Sequence, residues 1–189
     1  KAKRGSVTSR RRREEPDVGA SLNAGYAVLA EGFAYPAPGR LEILMSGEAK
    51  LDQAAVRQVY ASFLDAIQRL SLAEWEELHT RTLDLDPPAA PYVGYQMWGD
   101  TYPRGRFLSA MNRALAEAGV ETDGELPDHL APCLRYLAVA PDPLPELVEA
   151  FGPAVDRIVA ALRNAQPDNP YVSLLQAVQG ACRGLKESA

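Results

Sequence analysis

The sequence predicts an all-α fold, a single-domain helical bundle formed by residues 18–189. Apolar residues recur every three or four positions through most of this range, which is the spacing of amphipathic helices. Prolines and glycines separate these stretches, and none shows the period-two alternation of a strand. With 189 residues, 47% of them hydrophobic, the chain can bury one core without a disulfide or a metal.

Residues 1–17 differ from the rest in composition. They hold seven of the 20 basic residues and three of the 25 acidic ones, so they carry a net charge of +4 and the remainder −9. Few large apolar side chains and a block of like charge predict a disordered basic tail. Its run Arg10–Arg13 is not an export signal, because acidic residues follow where an apolar region is needed. A flexible tail or a cloning remnant is the simplest interpretation; a tail that docks on the acidic body is the alternative.

Charge and cysteine usage exclude several classes of function. An acidic body is unsuited to nucleic acid, which needs clustered basic residues, but it would suit a basic peptide. Cys133 and Cys182 lie far apart in helical patterns, which indicates reduced thiols and a cytoplasmic protein. No apolar run reaches the roughly 18 residues of a membrane span, so no membrane insertion is expected.

The first half of the chain predicts three long helices. The first begins near Ser21, a possible N-cap, and ends at the proline-rich turn 35–39. After a short piece at 41–45, apolar spacing predicts a helix of about five turns over 51–70. Ser71 and Glu74 match a capping box, so the next helix begins at Ser71 and runs to about residue 83.

Prolines between residues 84 and 91 interrupt the helices. The following segment, 92–100, contains three aromatic residues between proline and glycine, and we predict a loop that is either a lid over the core or a binding surface. Helical spacing resumes over 103–119. Gly119 stands where a left-handed C-terminal cap is expected.

A helix is predicted to begin at Pro127, where a missing N–H costs nothing. Asp128 would lie at the positive end of its dipole, on a common face with Arg135. Beyond Pro143 a further helix is predicted, interrupted at 152–153 and continuing to residue 164. A last amphipathic helix spans about 171–182.

An enzyme would need a set of catalytic or metal-binding residues, and the sequence does not offer one. The two histidines, His79 and His129, have no partners at metal-ligand spacing, so no metal is expected. A triad of Ser109, His129 and Asp128 lacks an elbow motif around the serine. No phosphate-binding loop is present, and we predict no cofactor and no catalytic residues.

Two stretches of the sequence are similar to motifs of one known family. The first is Gly99-Asp100-Thr101-Tyr102-Pro103-Arg104-Gly105, which precedes a helix. About twenty residues later comes Glu125-Leu126-Pro127-Asp128-His129-Leu130. In this order and spacing they resemble the TorD/NarJ family of molybdoenzyme-assembly chaperones, and the NarJ-like branch most closely.

The resemblance implies a cytoplasmic chaperone, a monomer or weak homo-oligomer, and not an enzyme. Its partner would be the apo catalytic subunit of a molybdopterin-dependent oxidoreductase, bound through an N-terminal leader-like segment and held for cofactor insertion. The residues expected to form the client-binding site are Tyr95, Trp98, Asp100, Tyr102, Arg104, Asp128 and His129. The alternative function is a helical adaptor or regulatory domain unrelated to molybdoenzymes.

Two departures from the NarJ-like pattern leave the client open. His79–Asp84 stands where Tyr-x-x-x-Phe-Asp is frequent, and Tyr95-Gln96 stands where Glu-His is common. The client could therefore be a nitrate reductase or a related selenate, chlorate, dimethyl sulfide or hydrocarbon enzyme.

Overall fold

The computed structural model describes residues 18–85 and 87–183. Within these ranges the chain forms nine α-helices, with one 3₁₀ turn and one π-helical turn and no extended strand. The predicted all-α class is therefore confirmed. The predicted tail, residues 1–17, lies outside the described residues.

The first four helices follow the sequence pattern with shifted ends. They are α1 (Val18–Glu31), α2 (Arg40–Gly47), α3 (Ala54–Ile67) and α4 (Leu72–His79). Helix α1 already includes Ser21, so the predicted start there is wrong. Helix α3 is shorter than the predicted 51–70, because Leu51 is extended and ends a 3₁₀ turn.

The capping box at the start of α4 is confirmed. The Ser71 hydroxyl accepts a hydrogen bond from the Glu74 N–H, and the Glu74 carboxylate accepts one from the Ser71 N–H at 2.7 Å. This exchange satisfies two N–H groups that would otherwise lack a partner. After His79 the helix widens into a π-helical turn, Thr80–Asp84, so the helical stretch does reach residue 83.

The middle of the chain departs most from the prediction. The segment expected as a loop contains helix α5 (Val93–Trp98), whose Val93 and Gly94 are buried. Helix α6 (Tyr102–Glu117) is followed by Gly119, whose φ of 67° makes it the left-handed cap that was predicted. The segment before α7 is a turn and α7 begins at Leu130, so the start predicted at Pro127 is wrong.

Helix α7 (Leu130–Val139) is followed by α8 (Pro145–Ala165) and α9 (Tyr171–Cys182). The interruption predicted at 152–153 is wrong, since α8 runs through Pro153 without a break. A proline inside a helix removes one backbone hydrogen bond. Burial of Phe151, Ala154 and Val155 on either side compensates, because the whole apolar face of α8 packs into the core.

The core is organised around α7 and α9. Helix α1 packs along α7, and α9 packs between α3 and α8. Helix α5 packs on α8 and on α6, so the first motif stretch, residues 99–105, is attached to the bundle through these helices. Tyr26, Tyr60, Phe63, Phe151 and Tyr171 are among the large side chains that are fully buried.

Both cysteine thiols are buried. Cys133 lies on α7 and its Sγ is 3.6 Å from the Pro127 carbonyl oxygen, while Cys182 lies at the end of α9. Burial raises the pKa of both thiols. In the two described ranges, none of the helices has the length and the apolar character needed to cross a bilayer.

Candidate functional site

Backbone hydrogen bonds join the second motif, residues 125–130, to the residues at the start of α5. The Val93 N–H donates to the Asp128 carbonyl at 2.7 Å, and the Leu130 N–H donates to the Pro91 carbonyl at 2.9 Å. They form a single antiparallel bridge between Tyr92 and His129. The start of α5 is thereby fixed against the start of α7.

Arg104, in the first turns of α6, connects the two motifs through its side chain. Its Nε donates to Asp128 Oδ2 at 2.9 Å, and its Nη1 donates to Asp100 Oδ1 at 2.6 Å. The two carboxylates differ in environment, because Asp128 is 0% exposed and Asp100 is 79% exposed. Burial acts to lower the pKa of Arg104, but the bonds and charges of both carboxylates outweigh it and raise the pKa.

Two aromatic rings complete the surroundings of Arg104. The guanidinium carbon lies 5.8 Å from the Tyr92 ring centre and 5.3 Å from the Tyr95 ring centre. Such contacts contribute on the order of 0.5–2 kcal/mol. With two carboxylates and two rings around it, Arg104 holds the motifs together and has little capacity left for a ligand.

Gly94 allows α5 to lie close to Asp128 and Phe107, and it is not among the residues predicted for the site. A Cβ at position 94 would lie 2.8 Å from Asp128 Oδ2 and 3.0 Å from Phe107 Cδ1. Any larger residue would therefore displace the buried carboxylate or the ring. The only sequence signal was a glycine inside an aromatic-rich segment, which we had interpreted as loop.

His129 is the N-cap of α7. Its Nδ1 accepts a hydrogen bond from the Ala131 N–H at 3.1 Å, so the ring proton is on Nε2. The ring lies edge-on to Phe33 and Tyr92, with centres 6.4 and 5.3 Å apart. Burial, with the charges of His79 and Arg135, lowers the pKa of His129 to about 3. The side chain is therefore a neutral cap at physiological pH.

His79 lies nearby, at the end of α4, and is also buried. Its Nε2 is 3.2 Å from the Phe33 carbonyl oxygen, and its Nδ1 is 3.6 Å from Asp84 Oδ2. Burial lowers the pKa of His79, and the Phe33 carbonyl and Asp84 act in the opposite direction. Phe33 thus contacts both histidines, one through its ring and one through its carbonyl.

The helix face predicted to carry both Asp128 and Arg135 does not form. Arg135 instead pairs with Asp123 at 2.5 Å and donates to the Glu121 carbonyl. Because α7 begins only at Leu130, Asp128 precedes the helix and points towards Arg104. The error follows directly from the misplaced helix start.

Six of the seven predicted site residues divide into two groups, and the seventh, Trp98, is intermediate in exposure. Asp128, His129 and Arg104 are buried or nearly so, with side-chain contacts to the protein itself. Tyr95, Asp100 and Tyr102 are exposed, and Tyr102 is 81% exposed. Trp98 is half-buried, with its ring 5.1 Å from that of Phe107. The buried residues therefore hold in place the surface on which the exposed residues lie.

Trp98 and Tyr102 line an open cleft of about 630 Å³ between α5, α6 and the start of α8. Its other walls include Phe107, Arg106, Arg113 and Glu146. The two arginines are not among the residues predicted for the site, although their seven-residue separation on α6 places them on one helix face.

The serine triad considered from the sequence is not assembled. The Ser109 hydroxyl donates to the Gly105 carbonyl at 3.1 Å, and His129 Nδ1 is occupied by the Ala131 N–H. Asp128 binds Arg104 and not the imidazole. The arrangement offers exposed aromatic rings on helices that are joined to the bundle by hydrogen bonds and an ion pair, which is suited to binding a polypeptide.

Comparison with known proteins gives a family and a fold. The family model of the nitrate reductase delta subunit matches residues 49–173, a range that includes both motif stretches. The fold is similar to the crystal structure of a candidate redox enzyme maturation protein from Archaeoglobus fulgidus, with a TM-score of 0.59 and 16% identity. That similarity covers 90% of this chain and 98% of the archaeal one. Curated protein sequences give no significant match.

Proposed function

The chain belongs to the nitrate reductase delta subunit family, which includes the TorD/NarJ maturation chaperones, and on that premise we propose that it chaperones the catalytic subunit of a molybdenum-cofactor oxidoreductase. It binds the apo subunit through an N-terminal leader-like segment and holds it in the cytoplasm for cofactor insertion. It acts by binding and not by catalysis, as a monomer or weak homo-oligomer. The family match over residues 49–173 carries this proposal and favours it over an unrelated adaptor.

The client contacts are assigned to side chains of α5, of α6 and of the turn between these two helices. Tyr95, Trp98 and Tyr102 offer aromatic area at low entropic cost, because each has only two rotatable side-chain bonds. Asp100 adds an exposed carboxylate beside them. Aromatic side chains of this kind are enriched among residues that dominate binding energy.

The buried residues of the motifs act through position. Asp128 and Arg104 fix α6 against the start of α7, and His129 caps α7. A substitution of Asp128 would therefore reduce stability and client binding together. The aromatic residues are the sharper test of function. Tyr102 is 81% exposed, and Trp98 is half-buried against Phe107, so the melting temperature of the variant is measured beside client capture.

The proposal is tested by affinity capture from the native host. Wild-type protein is expected to retain a molybdoenzyme catalytic subunit identified by mass spectrometry. The double variant Trp98→Ala/Tyr102→Ala should retain at least ten times less of it. A matched control removes two exposed apolar residues of α2, Ile43→Ala/Met45→Ala, each 50% exposed in the wild type.

Three outcomes would count against the proposal. The first is the absence of any molybdoenzyme subunit when the host expresses one. The second is an equal loss of client in the α2 control. The third is a loss that parallels a lower melting temperature in the aromatic variant, since that would indicate unfolding instead of lost contacts.

A further inference from the structure

The cleft beside the proposed client contacts has a cationic wall. Arg106 and Arg113 are both exposed and lie seven residues apart on α6, hence on one face and about 10 Å apart along the axis. Within the described residues neither forms an ion pair. They stand out on a body of net charge −9, in which thirteen basic residues face 22 acidic ones.

The rest of the cleft is aromatic and contains a single acid. Trp98 packs on Phe107 as an apolar wall, and Tyr102 stands at the rim. The one carboxylate that lines the cleft belongs to Glu146, in the first turn of α8. Asp100 is near but is already paired with Arg104. Two unpaired guanidinium groups against one carboxylate leave an excess of positive charge.

We propose that this cleft binds an acidic segment of the client polypeptide. Carboxylates about 10 Å apart would meet Arg106 and Arg113, and an apolar side chain between them would pack on Trp98 and Phe107. The inference rests on the proposed function, because it gives the chemistry of one segment of that client. It differs from the basic peptide suggested by net charge alone, since the charge of the cleft is opposite to that of the body.

The arrangement favours carboxylates for a geometric reason. A guanidinium group donates two parallel hydrogen bonds that match one carboxylate, and an open cleft leaves this fork free. Aromatic rings beside arginines also occur where single-stranded nucleic acid binds. A nucleic acid carries a negative charge at every nucleotide, more than two guanidinium groups can neutralise on a body of net charge −9, whereas a peptide segment with two carboxylates matches them.

The test uses the full chain and three synthetic twelve-residue peptides. Each has a central phenylalanine flanked by two residues that are Glu, Gln or Lys, with an otherwise identical serine and alanine sequence. Binding is followed by fluorescence anisotropy of labelled peptide and by the emission of Trp98, since the other tryptophan, Trp75, is buried against Tyr171. We expect the Glu peptide to bind at least ten times more tightly than the Gln peptide, and salt to weaken it.

Charge reversal provides the decisive variants. Arg106→Glu/Arg113→Glu should bind the Glu peptide at least tenfold more weakly and should now prefer the Lys peptide. Glu146→Gln should strengthen binding of the Glu peptide two- to fivefold. The control Arg69→Glu/Arg163→Glu makes the same charge change at two exposed arginines, one in the turn after α3 and one on α8, and should leave the preference unchanged.

Equal affinity for the Glu and Gln peptides, or equal effects of the two charge-reversal pairs, would overturn the inference. So would tighter binding of a ten-residue single-stranded oligonucleotide than of the Glu peptide. Client capture separates this inference from the proposed function. If wild type and Arg106→Glu/Arg113→Glu capture the client equally, the inference fails and the chaperone function stands; if wild type captures none, the function itself fails.

Discussion

One arginine with two carboxylates makes it possible to compare a buried and an exposed ion pair within one site. Asp128→Asn removes the charge of the buried partner and leaves Arg104, at low exposure, with only its exposed partner Asp100, and we expect a loss of about 3 kcal/mol in unfolding free energy. Asp100→Asn removes the exposed partner, and we expect a loss below about 1 kcal/mol. Urea denaturation at pH 7 measures both. Equal losses would show that burial does not determine the strength of these pairs.

His129 makes the stability of the fold depend on pH. Its pKa in the folded protein is about 3, below the ordinary 6.5, so the unfolded state takes up the proton first. This contribution to stability is complete above pH 6.5 and is lost as the pH falls towards 3. Between pH 7 and pH 5 the loss from this residue is about 2 kcal/mol.

The variant His129→Asn separates the contribution of His129 to this pH dependence from that of the other titrating groups. Asparagine keeps an N-cap acceptor for α7 and does not titrate. Urea denaturation at pH 7 and pH 5 should show that the variant loses about 2 kcal/mol less than the wild type over this interval. His79 adds a loss of the same sign in both proteins, and Glu125, whose pKa is raised by burial and by Asp84, acts oppositely. An unchanged pH slope in the variant would contradict the assignment.

The sequence identified chemically important residues but not their environment. Asp128 and Arg104 were selected for their motifs, and they do meet, because the α5 and α7 starts are joined by backbone bonds. Gly94 could not be found in this way, because it is required for its lack of a side chain. The space that a side chain would need is occupied by Asp128 and Phe107. Such a requirement exists only once three segments have packed together.

Helix ends were predictable where the signal is local. The capping box of α4 depends on Ser71 and Glu74 alone, which are three residues apart. The continuity of α8 through Pro153 was not predictable, because it depends on packing against α9 and α5. The late start of α7 likewise depends on the bridge between Tyr92 and His129, a contact across 37 positions of sequence.

The Ser71 cap can be tested at the scale of one helix. Ser71→Ala removes the acceptor for the Glu74 N–H and should lower the unfolding free energy by about 1 kcal/mol. Ser62→Ala is the matched control, since this exposed serine lies inside α3 and bonds the Gln58 carbonyl. Alanine has the higher helix propensity, so the control should be neutral or slightly stabilising. Thermal and urea denaturation measure both variants, and equal destabilisation would contradict the cap.

For the molecule as a whole, the packing predicts an order of local stability. Helix α7 is buried at Leu130, Ala131, Cys133, Leu134, Tyr136 and Leu137, whereas the longer α6 buries only Phe107, Met111 and Leu115. Amides in α7 should therefore exchange with solvent only on global unfolding, and those on the outer face of α6 by smaller openings. Hydrogen exchange followed by mass spectrometry measures this. Exchange of α7 as fast as α6 would contradict a core centred on α7.

This order matters for the proposed binding surface. The cleft and its aromatic residues lie on α5 and α6, the part attached to the bundle through α8 and the Arg104 pairs. A surface of lower local stability can adjust to different client segments without disturbing α7 and α9. We expect bound peptide to slow exchange in α6 more than in any other helix.

The buried thiols have a practical consequence for labelling chemistry. Maleimides and disulfide reagents react with the thiolate, and burial keeps Cys133 and Cys182 in the thiol form. A cysteine introduced at an exposed position such as Tyr102 would therefore react far faster than either native one. Dyes or spin labels could then be attached at the cleft without first removing the native cysteines, and slow modification of those two would report the moments at which the bundle opens.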